Sequence, residues 1–185
     1  MSTWQPTLGK WDDEENYTSS APLQYQALRF AETWHADAGT ALTLSDGSTM
    51  PYPIFLRHVM HLLSVECNLS GYDILTSAAF YGLLDETPCC AGDVEDALGT
   101  YAASLAQNMA RDGEELDEYI LNLLYDGESA AVFAQLAAQI TLARLIPPAE
   151  EEKEALLAVF APLRAAAPFA FLLEKLSDAL AGGSV

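Results

Sequence analysis

The stretch "SAAFYGLLDETPCCAGDVEDALG", residues 77–99, decides the fold. It joins the small, apolar end of one helix to an acidic turn, Asp85-Glu86-Thr87, with a proline directly after it. A second helix follows, which Asp93 can cap by accepting first-turn amides and which has Val94, Ala97, Leu98, Tyr101 and Leu105 on one face. Helix, acidic turn, helix is the organising unit, and the rest of the chain extends it in both directions.

Upstream, "NLSGYD" is a break, and Asp73 can cap a helix that runs through Leu84. Residues 53–66 predict a helix with Ile54, Phe55, Val59, Leu62 and Leu63 apolar, and "TLSDGSTMPYP" before them has loop composition. Leu23, Ala27, Phe30, Ala31 and Trp34 recur at spacings of three and four, predicting a helix from Pro22 to about "DAG". Downstream, residues 112–118 lead into a helix around Tyr119 to Leu124, and a long helix spans 129–146 until "IPP" ends it. Glu150 to Glu154 put negative charge in the first turn of the next helix, where the dipole favours it, and a last helix covers about 168–181. No strands and no internal repeat are expected, so the fold class is all-α. The organisation expected is an irregular arm over 1–20, a helical domain over 21–147, and a helical extension over 148–185 packed on that domain.

Composition narrows the function. Of 185 residues, 51% are hydrophobic and 19% charged, which requires a substantial buried core. The formal charge of −19 repels phosphate backbones and anionic membrane surfaces, so nucleic acid is excluded as an ordinary partner. Between Asp85 and Glu128 twelve acidic residues accompany a single basic one, Arg111; that surface is either a solvated face or an attractor for a basic protein. Residues 155–173, "ALLAVFAPLRAAAPFAFLL", approach a membrane span in length, but Arg164, Pro162 and Pro168 argue for packed helix. The first residues lack a basic start followed by an apolar run, and Cys67, Cys89 and Cys90 do not make a disulfide framework or a zinc site. A cytoplasmic protein with reduced thiols is expected.

With the helices placed, four stretches carry a resemblance. "ALRFAETWHADAG", "DGSTMPYPIFLRHVMHLL", "DILTSAAFYGLLDETPCCAGDVEDALG" and "AQLAAQITLARL" together resemble the HD-domain superfamily, in its ppGpp hydrolase branch of SpoT, RelA and small stand-alone relatives. The resemblance covers about residues 26–146 and implies an HD-like multi-helix bundle with two extra C-terminal helices. It also implies manganese held by a loop His, a His-Asp pair and a distant Asp, because a divalent ion lowers the pKa of bound water and screens phosphate oxygens. Those positions fall on Phe55, Tyr81, Gly82 and Ala138, of which only the Tyr81 phenol offers even a weak ligand. The basic residues that follow the first-helix His in that family are missing too, since "HADAGTALTLSDG" has no Lys or Arg.

No metal and no other cofactor is therefore expected, and the chain reads as a catalytically inactive HD-fold protein serving as a binding or regulatory module. Asp85 and Glu86 keep the acidic character of the motif and are the weak catalytic candidates for the alternative, a residual metal-dependent phosphohydrolase. A third reading is an acidic interaction module or DNA mimic. Tyr52, Tyr72 and Phe80, with Phe55 and Tyr81, are expected around the vacated site, either filling it or lining a pocket for a small apolar or aromatic ligand. The partner expected is another protein or a second copy. His58 with His61, and Glu32 with His35, share helix faces but offer too few ligands for a metal. The vicinal Cys89 and Cys90 have acidic neighbours, which disfavour a reactive thiolate.

Overall fold

The computed structural model describes residues 22–182; the expected arm at 1–20 lies outside them. Helix α1 (Leu23–Ala38) buries Ala27, Leu28, Ala31 and His35, a stripe at helical spacing, and ends where Gly39 turns left-handed. An antiparallel hairpin follows, with β1 (Ala41–Thr43) paired to β2 (Thr49–Pro51) so that Leu42 faces Met50. The sequence reading expected only loop here. Asp46 makes the hairpin by accepting the backbone N–H and hydroxyl of Ser48, a turn chemistry that needs no strand-like periodicity around it.

Helix α2 (Tyr52–His61) runs straight into a π-helical turn, Leu62–Glu66, so the expected 53–66 helix contains one wide turn. Helix α3 (Tyr72–Ala79) stops well short of Leu84. Gly82 takes φ +69° and starts the short α4 (Leu83–Glu86), so the stretch 77–86 is two helices at an elbow rather than one. Asp73 sits in the first turn of α3 without capping it and accepts the Tyr101 hydroxyl instead.

A second correction concerns the helix after the acidic turn. α5 (Ala91–Leu98) and α6 (Thr100–Met109) are separated by Gly99 at φ +92°, which interrupts the expected continuous face. Asp93 acts from the third helical position, its carboxylate accepting the Cys90 N–H at 2.9 Å, while Cys90 holds the cap position.

α7 (Leu116–Asp126) and α8 (Ser129–Leu145) lie close to their expected spans. α8 is buried on nearly every side, from Ala131 through Phe133, Leu136 and Ile140 to Ala143, because α2, α3, α6, α7 and α10 all pack around it. α9 (Glu150–Val159) begins with Glu152 accepting the Ala149 N–H. Two 3-10 turns, Ala161–Ala165 and Ala167–Phe169, then lead into α10 (Ala170–Leu180).

α10 lays Leu172, Leu176 and Leu180 against the core, and Phe169 stacks on Phe133 of α8 with ring centroids 4.4 Å apart. Burying each such side chain stabilises the fold by about 1.5–3 kcal/mol. Glu66 adds a polar tie by accepting from Arg144 at 2.9 Å and from Lys175 at 3.3 Å, which links the π turn to α8 and α10. Among the described residues no helix is long and apolar enough to cross a membrane, and the 155–173 stretch is divided between α9, the two 3-10 turns and α10.

Candidate functional site

The Gly82 elbow, the start of α2, the inner face of α1 and the middle of α8 meet in one place, and the side chains there are mostly rings. Tyr52 and Phe55 stand on successive turns of α2 because Pro51 and Pro53 start that helix directly after the hairpin. Their rings make an edge contact at 5.2 Å, and Phe55 meets Tyr81 edge-on at 5.7 Å. On the other side of Tyr52, the imidazole of His35 stacks at 4.2 Å with an interplanar angle of 18°. His35, Tyr52, Phe55 and Tyr81 thus form a continuous row of rings. Phe55 and Ala138 are fully buried, as is His35.

Polar partners border this row. Gln139 donates to the Tyr81 hydroxyl at 3.4 Å, and Gln135, one turn earlier on α8, donates to Tyr119 at 3.4 Å. Tyr119 in turn donates to the Asn108 carbonyl. Asp85 receives the Arg111 backbone N–H on both carboxylate oxygens at 3.2 Å, which pins the loop after α6 to α4. Both Asp85 and Glu86 are exposed.

Burial keeps the titratable groups neutral. Desolvation lowers His35 to about 4, with the nearby Tyr81 backbone offsetting a little of that. Thr40 donates its hydroxyl proton to the His35 carbonyl at 3.2 Å and lies 2.8 Å from Nδ1; the tautomer consistent with both carries its proton on Nδ1. Nε2 has no hydrogen-bond partner. Tyr81 is pushed up to about 12, chiefly by desolvation, with Arg111 pulling it down and Glu86 and Asp85 pushing it up. Desolvation also raises Tyr52, with added repulsion from Tyr81, Glu86 and Asp85.

This donor set does not fit a divalent cation. Phe55, Gly82 and Ala138 carry no side-chain donor, and the Tyr81 phenol remains protonated at neutral pH. Among the described residues no group of three or more His, Cys, Asp or Glu side chains is disposed to hold a metal ion.

The structure brings Tyr52, Phe55, Tyr81 and Gly82 together, leaves Ala138 buried on α8 next to Gln139, and directs two other predicted residues elsewhere. Tyr72 lies 39% exposed on the surface, stacked on Tyr101 at 6.0 Å, and Phe80 points into the core. The sequence reading missed His35 as a member of the ring row, although its eight-residue separation from Ala27 puts it on the buried face of α1. It also missed Gln135 and Gln139, polar residues in an otherwise apolar helix. Glu32, paired with His35 in sequence, instead receives a bidentate contact from Arg57, with the closer bond at 2.6 Å. Cys89 is buried, and its thiol is pushed up to about 12 by desolvation, Asp93 and Cys90.

The chain is an all-α multi-helix bundle with a small hairpin leading into α2 and an elbow between α3 and α4, and this fold is shared with a solved structure. The particular solved structure it resembles is that of a metazoan ortholog of SpoT, a protein that hydrolyzes ppGpp and plays a role in starvation responses. The two match with a TM-score of 0.57 and 17% identity over 91% of this chain and 90% of that one. No family model matches the sequence, and no curated protein matches it.

Proposed function

We propose that the chain is a catalytically inactive HD-fold protein whose role is binding or regulation. The observation that carries this reading is the packed row His35, Tyr52, Phe55 and Tyr81, in which Phe55 and Tyr81 stand at two of the four positions where the resemblance places metal ligands. A phosphohydrolase of this type needs an ion to generate hydroxide and screen phosphate charge, and neither task can pass to protonated phenols. Asp85 is engaged with the Arg111 amide, and the Arg111 side chain brings cationic charge to bear on Tyr81. Close packing of the rings favours a filled site over one that holds a ligand.

The partner in this reading is a protein. Self-association through the last helix is disfavoured because Leu172, Leu176 and Leu180 are already committed to the core, leaving Phe171 as the large apolar residue exposed on α10. The test is hydrolysis of ppGpp and release of pyrophosphate by purified protein in excess manganese. No turnover above a protein-free control is expected. Turnover that disappears in an Asp85→Asn, Glu86→Gln double variant would instead support the alternative, a residual phosphohydrolase built on those two acids.

A further inference from the structure

We propose that the groove between α7 and α9 is a docking site for a basic amphipathic helix of a partner protein. The groove has a volume of about 500 Å³, and its apolar part includes Leu121, Ala158, Val159 and Pro162. Leu121 is 51% exposed, and Tyr125, one helical turn further along α7, is 92% exposed. These two extend the apolar surface along the helix axis. α9 closes the groove with the exposed Ala155 and Ala158 and the half-buried Val159; none of its residues is fully buried, and Leu156 and Leu157 pack partly against the core. An open groove continued by the exposed Leu121 and Tyr125 has capacity for a further contact.

Charge selects the occupant. Glu115 and Asp117 line the α7 side, and Glu151 and Glu154 each stand one turn before the groove residues Ala155 and Ala158 on α9. A second copy of this chain would bring a formal charge of −19 against that acidic rim, and nucleic acid would meet the same repulsion. A basic partner gains attraction at the rim, while the apolar floor demands apolar anchors. Leu121 and Tyr125, spaced by one turn, match anchors that recur at one turn on a partner helix.

This inference rests on the reading of the domain as a binding module and names its surface. The experiment is fluorescence anisotropy of the full chain with a labelled synthetic helix carrying leucines on one face and lysines on the other. Its controls are a scrambled peptide of equal composition and a peptide with glutamate replacing lysine. Saturable binding of the first peptide alone is expected, weakened by salt and reduced at least about tenfold by Ala158→Arg, which fills the groove and repels the lysines. Leu121→Ser, at an exposed position, is expected to weaken binding without lowering the melting temperature.

Equal binding of the scrambled peptide, or undiminished binding by both variants, would overturn the proposal. So would light scattering that shows a dimer which Ala158→Arg converts to monomer, since the groove would then hold a second copy. Hydrolysis of ppGpp would refute catalytic inactivity without touching the groove, and loss of peptide binding would leave catalytic inactivity standing.

Discussion

The phenol of Tyr52 lies over Gly82, so close that a β-carbon at position 82 would collide with its hydroxyl oxygen and crowd Cγ of Glu86 at 3.3 Å. Gly82 also holds φ +69°, a conformation that L side chains rarely adopt. Both constraints act at the position where the resemblance requires an aspartate. Gly82→Ala is expected to destabilise the protein by roughly 2–4 kcal/mol, and less in a Tyr52→Ala background, where only the backbone strain remains. Urea denaturation of the double-mutant cycle measures the coupling; additive effects would show that the phenol is not what position 82 meets.

Stability should depend on His35 below neutral pH. Its folded pKa, about 4, lies below the unfolded value of 6.5, so the unfolded chain takes up the proton first. Stability is therefore full above 6.5, falls as pH drops through the interval, and levels off below about 4. The contribution lost between pH 7 and pH 5 is about 2 kcal/mol. The fall between those two pH values should be smaller by that amount in His35→Gln, because the carboxylates are common to both proteins. Equal slopes for the two would contradict a neutral, buried imidazole.

Glu66 should contribute to holding the C-terminal helix. Burial alone would raise its pKa, yet hydrogen bonds and charge from Arg144 and Lys175 hold the carboxyl below its usual value. Glu66→Gln weakens both contacts and is expected to cost about 1–2 kcal/mol, discounted for partial exposure of all three side chains. Limited proteolysis should then cut first in the 3-10 turns before α10. Unchanged stability and cleavage would show that apolar packing of α10 suffices.

The two adjacent thiols should differ in reactivity. Cys89 is buried and pushed up to about 12, whereas Cys90 is exposed. Alkylation of native protein at pH 7.5, read by peptide mass spectrometry, is expected to label Cys90 well before Cys89, and Cys67, raised to about 11 chiefly by burial, is expected to lag as well. Prompt labelling of Cys89 would contradict its burial.

Sequence pattern revealed α1, where one periodicity runs from cap to cap, and α8, where the breaks at Gly127 and at Pro147-Pro148 mark the two ends. It failed where a single residue breaks an otherwise continuous apolar face. Gly82 and Gly99 each reverse the backbone by adopting positive φ, which periodicity alone does not register. The π turn at Leu62–Glu66 widens the helix with no composition change to announce it, and the hairpin depends on the local hydrogen bonds of one aspartate. At the site, Phe55, Tyr81, Gly82 and Ala138 were assigned from the resemblance alone, and of these the structure joins Phe55 to Tyr81 by a ring contact. Tyr72 was misplaced because it lies on the outer face of α3, where it stacks with Tyr101. No local pattern could reveal that His35 stacks on Tyr52, since that contact depends on how α1 crosses α2.

Manganese binding tests the central claim most directly. Full-length protein dialysed against excess manganese and then freed of unbound ion should hold far less than one equivalent, with a melting temperature unmoved by the metal, because an ion that does not bind the folded state cannot stabilise it. One equivalent of tightly held manganese, together with an upward shift in melting temperature, would contradict the account.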